Sequence, residues 1–171
     1  MGIEIERKFL LKSDAWRAHV VRSTPMAQGY LNDAESVTRG LQNVSVRVRL
    51  EGEVAKLNIK SREAGPQRQE FEYDMPVADA HALLALCVGN AIQKIRHYIP
   101  QGDLCWEIDE FSGVNAELVV AEIELPQVDA VFDKPDWVGR EVTDASRYYN
   151  LMLAERPYSA WSAEEQNTTE S

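Results

Sequence analysis

The sequence predicts an α+β protein that is mainly β, with about eight antiparallel strands and a few flanking helices. Three observations carry this prediction. Apolar and polar residues alternate with a period of two in most of the chain, short turn-rich gaps separate the alternating segments, and helical periodicity appears in only three places. Eight strands of this kind are enough to close an antiparallel barrel, and small barrels of that size can enclose one ligand.

The predicted strands all show this alternation, and gaps such as 51–53 and 100–103 suit hairpin turns. In the first strand, Glu4, Glu6 and Lys8 share one face and Ile3 and Phe9 lie on the other. From the same alternation we predict strands at residues 2–11, 27–32, 44–51, 54–62, 69–75, 91–99, 103–111 and 117–125.

Helical segments interrupt the strand pattern at three points. Ser13 and Asp14 precede a predicted helix that runs to about Arg22, and an amphipathic pattern covers residues 77–88. A third helix is predicted from Asp144 to Glu155, where the coming Pro157 halts it. We therefore predict one domain over residues 1–157, followed by a disordered polar tail over residues 158–171.

The polar faces of the predicted strands carry charges grouped by sign. Arg47 and Arg49 share a face of one strand, and Glu70 and Glu72 share a face of another. A solvated face of an antiparallel sheet is the ordinary explanation for any one strand. For all of the strands together this explanation is weak, because charges on a protein surface normally mix signs, which limits repulsion. The alternative is a closed barrel whose charged faces point inward.

Composition limits the partners of such a protein. The 171 residues carry a formal net charge of -10, which disfavours general binding to nucleic acid or to an anionic membrane. Cys87 and Cys105 are too few and too far apart for a disulfide framework or a zinc motif, so we expect free thiols. No secretory signal or long apolar run is present, and we expect a cytoplasmic protein.

A lumen with both signs of charge needs a ligand that satisfies both. Clustered Arg and Lys side chains match polyphosphate oxygens, and clustered carboxylates match a hard divalent cation such as Mg²⁺ or Mn²⁺. A metal–triphosphate complex needs the two together. The charged faces therefore indicate a small-molecule triphosphate substrate with a divalent metal cofactor.

The motifs in chain order resemble those of the CYTH superfamily, the triphosphate tunnel metalloenzymes. Glu4-Ile5-Glu6-Arg7-Lys8 is similar to the signature at the family's N-terminus. Further matches cover roughly residues 2–157 and include Gln28-Gly29-Tyr30-Leu31, Val46-Arg47-Val48-Arg49, Lys60-Ser61-Arg62, Arg68-Gln69-Glu70-Phe71-Glu72-Tyr73, Lys94-Ile95-Arg96, Trp106-Glu107-Ile108-Asp109, Glu122-Ile123-Glu124, Glu141-Val142-Thr143 and Arg147-Tyr148-Tyr149-Asn150. The resemblance implies an eight-stranded antiparallel barrel around an open tunnel, with flanking helices.

The resemblance also implies roles for individual residues. The metal ligands would be acidic residues of the first and later strands, with Glu107 and Asp109 supporting a second ion or orienting water: Glu4, Glu6, Glu122, Glu124, Glu107 and Asp109. The triphosphate would be held by the basic residues Lys8, Arg47, Arg49, Lys60, Lys94 and Arg96. The candidate catalytic residues are Tyr30, Glu70, Glu72 and Lys60.

Two aspects stay open at the level of sequence. Glu70 or Glu72 is a candidate to take the proton of the attacking water, and so is Tyr30 if a cation such as Lys8 lowers the pKa of its hydroxyl. Tripolyphosphate hydrolysis is the leading activity. The alternatives are a class IV adenylate cyclase, a thiamine triphosphatase and a non-catalytic module that captures polyphosphate or nucleotide. A homodimer is also open, since a second subunit is an alternative cover for exposed apolar strand faces.

Overall fold

A closed antiparallel barrel forms the body of the computed structural model, which describes residues 2–62 and 66–167. Within those residues the strands are β1 (Gly2–Leu11), β2 (Arg22–Tyr30), β3 (Val44–Glu51), β4 (Val54–Ser61), β5 (Gln67–Met75), β6 (Val88–Gln101), β7 (Leu104–Ser112), β8 (Val119–Glu124) and β9 (Val138–Glu141). The α-helices are α1 (Ala34–Thr38), α2 (Val77–Leu84), α3 (Asn150–Glu155) and α4 (Ala163–Gln166).

Eight of these strands close the barrel. They follow the order β5-β4-β3-β2-β6-β7-β8-β1, and β1 then pairs with β5 from Gly2 opposite Glu70 to Ile5 opposite Gln67. All of the pairings are antiparallel, so the predicted eight-stranded antiparallel closed barrel is confirmed. The first strand lies beside β8, the last barrel strand in chain order, with Glu6 opposite Glu124 and Lys8 opposite Glu122.

The short strand β9 was not predicted. It extends the sheet beside the end of β1, where Phe9 lies opposite Glu141 and Leu11 opposite Val138. Four residues give too short an alternation to distinguish a strand from a loop. Its pairing partner, rather than its own pattern, makes it a strand.

The first predicted helix is wrong in length and type. Residues Asp14–His19 form a 3₁₀ helix, whose start is capped by Ser13 Oγ accepting from the backbone N–H of Ala15 at 3.4 Å. Strand β2 already begins at Arg22, five residues before the predicted start, because residues 22–26 pair with residues 94–98 of β6. Pairing with a neighbouring strand overrides the weak local pattern there.

The other helices differ from prediction at their ends. Helix α2 stops at Leu84 rather than 88, and the predicted helix at 144–155 divides into a 3₁₀ turn at Ser146–Tyr148 and the shorter α3. Helix α1, which Asp33 caps by accepting from the N–H of Ser36 at 2.7 Å, was not predicted. Its five residues are too few to show a helical period.

Apolar side chains cover the outside of the barrel wall. Phe9 and Trp106 are fully buried there, with ring centroids 5.5 Å apart, and Trp16 is buried beside His97. On another part of the wall, α2 packs over Val48, which is also fully buried. The apolar faces of the strands therefore point away from the lumen, and their charged faces point into it, as the alternation predicts.

The segment after Pro157, which we expected to be disordered, is folded as far as residue 167. Tyr158–Ala160 form a 3₁₀ turn, and the ring of Trp161 lies 5.1 Å from those of both Tyr148 and Tyr158. Ser162 and Glu165 then form a capping box at the start of α4. The rest of the predicted tail, 168–171, lies outside the described residues. None of the helices in the described part of the chain has the length and apolarity needed to cross a membrane.

Candidate active site in the barrel lumen

The barrel encloses a cavity of about 1030 Å³. It runs along the length of β2, since both Arg22 at the start of that strand and Tyr30 at its end line it. Most of the predicted site residues line this cavity: Glu4, Glu6, Lys8, Tyr30, Arg47, Arg49, Lys60, Glu70, Glu72, Arg96, Glu107, Glu122 and Glu124. Lys94 and Asp109 do not line it; they are buried behind Arg96.

Lys8 and Glu122 form the central ion pair of the lumen. Lys8 Nζ lies 2.6 Å from Glu122 Oε1 and 3.7 Å from Glu6 Oε1. Burial disfavours the charge on Lys8, but Glu122 and Glu6 outweigh burial and raise the pKa of Lys8. Burial likewise opposes the charge on Glu122, while Lys8 and Arg96 hold its pKa well below the usual range. Both groups are therefore charged at neutral pH.

Glu6 and Glu124 form a less compensated acidic cluster. Burial raises the pKa of Glu6, and the nearby charges of Glu122 and Glu4 raise it further. Burial and the carboxylates of Glu4 and Glu70 raise the pKa of Glu124. Such mutual repulsion is relieved by a bound cation, and carboxylate oxygens are the ligands that Mg²⁺ and Mn²⁺ prefer. The chemistry of this donor set fits a hard divalent cation.

The acidic side chains are not gathered into a finished metal site. Among the described residues, no three Asp, Glu, His or Cys side chains lie close enough together to hold a metal ion. Two of the acids are turned towards lysines instead: Glu122 contacts Lys8, and Glu4 accepts from Lys60 Nζ at 2.6 and 2.8 Å. Lys60 also lies 3.6 Å from Glu70, its cross-strand neighbour.

Two arginines of β3 differ in how they are compensated. Arg49 lies 3.1 Å from Glu72 and 3.5 Å from Glu51, although burial and the neighbouring Arg47 lower its pKa. Arg47 is only 8% exposed, and no carboxylate contacts it within the part of the chain that the structure describes. Its Nε is also buried without a hydrogen-bond partner. A buried guanidinium without an anion is costly, so Arg47 is available for an anionic ligand.

Arg96 is the opposite case, since four contacts to three acids satisfy it. Its Nε and Nη2 donate to the two oxygens of Asp109 at 2.7 Å each, and Nη2 also donates to Glu122 at 2.8 Å. Its Nη1 pairs with Glu107. Asp109 has no exposed surface and also pairs with Lys94, whose pKa burial lowers to about 8. Lys94 and Asp109 thus support Arg96 from behind the cavity wall.

Tyr30 closes one part of the cavity among apolar side chains. It is 5% exposed and packs in the cluster that contains Ile92 and Phe111. The cation proposed to act on its hydroxyl, Lys8, is engaged elsewhere, with Glu122 and with the ring of Tyr149 at 5.7 Å.

Sequence reasoning assigned no role to three residues in or beside the lumen, Arg68, Asn58 and Tyr149, although Arg68 and Tyr149 stand in the motifs quoted above. Arg68 lines the cavity beside Tyr149, whose ring centroid lies 5.4 Å from its guanidinium carbon, and no carboxylate pairs with it among the described residues. Asn58 has no exposed surface and hydrogen-bonds two of the predicted acids. Arg68 and Asn58 were visible in the alternation, because they share faces with Glu70 and with Lys60. Tyr149 lies beyond the strands, where alternation gives no signal.

The barrel and its lining place this protein in the class of closed antiparallel barrels that surround a charged cavity. Comparison with known proteins narrows this class to one family. The CYTH domain model matches residues 2–158, and the chain belongs to the CYTH domain family.

Proteins of known sequence and structure agree with this assignment. The chain is 42% identical over 159 residues to an inorganic triphosphatase of Acetivibrio thermocellus, covering 92% of this chain and 97% of that protein. It is 34% identical over 155 residues to an inorganic triphosphatase of Nitrosomonas europaea, covering 88% and 96%. A crystal structure of an inorganic triphosphatase aligns with a TM-score of 0.62 at 31% identity, covering 90% of this chain and 95% of that one.

Proposed function

We propose that this protein hydrolyses inorganic tripolyphosphate in the barrel lumen with the help of Mg²⁺ or Mn²⁺. The two relatives named as inorganic triphosphatases match nearly the whole chain, which supports this substrate over a nucleotide. The observation that carries the proposal is Arg47, a buried cation that lacks a carboxylate partner among the described residues. Arg68, which is half-buried, also lines the lumen without a carboxylate partner among the described residues, and a triphosphate supplies anionic oxygens for both arginines.

The lumen offers the substrate two kinds of partner. Four other basic residues line the lumen, and each already pairs with a carboxylate: Lys8, Arg49, Lys60 and Arg96. They would help to neutralise the charge of a bound triphosphate, and they keep their carboxylate partners when no triphosphate is bound. In this proposal Lys94 and Asp109 do not contact the substrate. Asp109 binds the guanidinium of Arg96 and holds it in place, and Lys94 pairs with Asp109.

The acids of β1, β7 and β8 would hold the metal ion. The residues that fit are Glu4, Glu6, Glu107, Glu122 and Glu124, all of which line the cavity. When bound, the ion would neutralise phosphate oxygens and stabilise the negative charge that develops during transfer.

Hydrolysis requires a water molecule aligned with the terminal phosphorus. Its oxygen forms the new bond to phosphorus, the bond to the leaving pyrophosphate breaks, and the water proton passes to a base. Glu70 and Glu72 are the candidate bases, because both line the lumen and share a face of β5 with Arg68. We assign Tyr30 to orienting the substrate, and Lys60 to neutralising charge near Glu4 and Glu70.

The proposal is tested by measuring phosphate release from tripolyphosphate with purified protein, with Mg²⁺, with Mn²⁺ and with EDTA. Arg47→Ala should lower kcat/KM by about 100-fold, since a charge-assisted contact to phosphate is lost. Arg17→Ala is the matched control, because Arg17 lies outside the lumen and pairs with Glu110 on the surface.

The expected result is metal-dependent hydrolysis that Arg47→Ala impairs and Arg17→Ala does not. The proposal is overturned if the wild-type protein releases no phosphate from tripolyphosphate with either metal. Equal effects of the two arginine variants would contradict the assignment of Arg47 to the substrate.

A further inference from the structure

Asn58 lies in the barrel wall between basic and acidic residues, although it does not line the cavity itself. It belongs to β4, and its cross-strand neighbours are Arg47 of β3 and Glu72 of β5. Its side chain shares the lumen-facing side of β4 with Lys56 and Lys60, yet it has no exposed surface. A fully buried amide between charged residues is a costly arrangement unless its hydrogen bonds are made.

The amide nitrogen of Asn58 binds both candidate bases at once. Nδ2 donates to Glu70 Oε1 at 2.9 Å and to Glu72 Oε2 at 2.6 Å. The nitrogen carries two hydrogens, so each acid receives one. Glu70 and Glu72 are two residues apart on β5, and the amide is the one group that bridges both carboxylates among the described residues, while Lys56 and Arg49 also contact Glu72.

Asn58 itself adds no charge beside the two acids, although Glu72 is also paired with Lys56 and Arg49, and Lys60 lies 3.6 Å from Glu70. A lysine at this position would also donate to both carboxylates, but it would compensate their charge, as Lys60 does for Glu4. A neutral amide adds no further positive charge beside the acids, whose carboxylates can still accept a hydrogen bond from a water molecule. The amide oxygen of Asn58 has no hydrogen-bond partner in the described residues, and neither does Nε of the opposite Arg47.

We propose that Asn58 is a positioning residue that holds Glu70 and Glu72 in the geometry needed to orient the attacking water. This inference rests on the proposed tripolyphosphatase activity. It makes a specific claim about which step depends on Asn58: the chemical step, and not the binding of tripolyphosphate, which the arginines provide. A residue that only stabilised the barrel would affect the melting temperature and leave the rate constant of the folded enzyme intact.

The test compares three variants with the wild-type protein. Asn58→Leu is close in size and removes both donors, whereas Asn58→Thr keeps one hydroxyl donor and suits a β-strand. Asn115→Leu is the control, because Asn115 is another fully buried asparagine, and its Oδ1 accepts from the backbone N–H of Tyr158 at 2.8 Å instead of contacting the acids of β5. For each protein we would measure the melting temperature, kcat and KM with Mg²⁺, and the Kd of tripolyphosphate in EDTA by calorimetry.

We expect Asn58→Leu to lower kcat by about 10- to 100-fold, the usual cost of losing a residue that orients active groups. The Kd of tripolyphosphate in EDTA should stay within about threefold, since no phosphate contact is removed. Asn58→Thr should recover part of kcat, because one carboxylate regains its donor. Asn115→Leu should lower the melting temperature and leave kcat unchanged at a temperature where it is folded.

The proposal is overturned if folded Asn58→Leu keeps the wild-type kcat, if its loss of kcat matches an equal loss of tripolyphosphate affinity, or if Asn58→Thr is no better than Asn58→Leu. Should Asn58→Leu fail to fold, the kcat of Asn58→Thr decides: a wild-type value overturns the proposal and a reduced value with normal affinity supports it. A wild-type protein without tripolyphosphatase activity overturns the proposed function itself, which is a separate result.

Discussion

The charged side chains of the lumen fall into compensated and uncompensated groups. Lys8 and Glu122 pair at 2.6 Å, and Arg96 is held by acids on two sides. Glu6 and Glu124 sit instead among other carboxylates that raise their pKa values. Leaving like charges together in a buried place lowers stability, and proteins keep such arrangements where a ligand relieves them. Substitution of the uncompensated residues should therefore reduce activity strongly and reduce stability little.

Glu6→Gln should lower metal-dependent tripolyphosphate hydrolysis by about 100-fold or more, since it removes an anionic oxygen from the proposed metal site. Its melting temperature without metal should equal or exceed that of the wild-type protein, because repulsion with Glu122 and Glu4 is relieved. Kinetics and thermal unfolding of the same preparation measure both effects. Glu53→Gln, an exposed acid in the turn after β3, is the control and should change neither. Near-normal turnover in Glu6→Gln would remove Glu6 from the metal site.

The pH dependence of stability should also reveal the acidic cluster. The folded-state pKa of Glu124 lies above its ordinary value of 4.5, so the folded state binds more protons than the unfolded state just above that pH. Its contribution to stability is therefore complete below pH 4.5 and is lost as pH rises through the folded-state pKa. Thermal unfolding in EDTA from pH 4.5 to 8 should show Glu124→Gln gaining on the wild-type protein as pH rises. A gap between the two proteins that narrows over this range would contradict the assigned repulsion.

At the scale of secondary structure, the segment after Pro157 behaves as part of the fold. Trp161 is 6% exposed and packs against Tyr148 and Tyr158, while Ser162 caps α4. The polar composition of this segment favours disorder, and a single buried tryptophan outweighs it. Burial of one large aromatic side chain is enough to fix a short segment against the barrel.

Trp161→Ala should therefore lower the free energy of unfolding by about 3–5 kcal/mol, the usual range for a fully packed aromatic residue. Urea unfolding measures this loss. The control is Val131→Ala, since Val131 is 96% exposed and its truncation should change stability by less than about 0.5 kcal/mol. If Trp161→Ala is as stable as this control, the segment contributes nothing to the fold.

The long strands were predictable because each has one charged face and one apolar face. When the barrel closes, the charged faces point into the lumen and the apolar faces point outward, so alternation alone indicates which residues face the lumen. Strand β9 and helix α1 were not predictable, since four or five residues carry no readable period. Their positions depend on β1 and on the Asp33 cap.

The partners of the lumen residues were less predictable than their faces. The resemblance implied that Lys94 holds phosphate and that Asp109 supports a metal ion, but both residues lie behind the wall and pair with each other. Depth below the surface depends on strand tilt and on neighbouring side chains, which one strand's pattern does not contain. Asn58 went unnoticed for a related reason: an uncharged residue in a charged stripe attracts attention only when its two hydrogen bonds are seen.

At the scale of the whole molecule, a chain with a net charge of -10 surrounds a lumen where cations and acids alternate. Barrel closure makes this possible, because it sets Glu6 and Lys8 of the first strand against Glu124 and Glu122 of the last barrel strand. Neither half of the chain holds the site alone. The sequence pattern left several triphosphate substrates open, so the substrate itself is the central question.

The most direct measurement compares tripolyphosphate, ATP and thiamine triphosphate with Mg²⁺ and with Mn²⁺, following phosphate, pyrophosphate and cyclic AMP. We predict phosphate release from tripolyphosphate with a kcat/KM at least about 100-fold above that of the two organic triphosphates. Cyclic AMP and pyrophosphate from ATP would contradict this account, because the ribose hydroxyl and not water would then be the nucleophile. Tight binding of tripolyphosphate with no turnover of any of the three would contradict it equally, since the lumen would then capture polyphosphate without hydrolysing it.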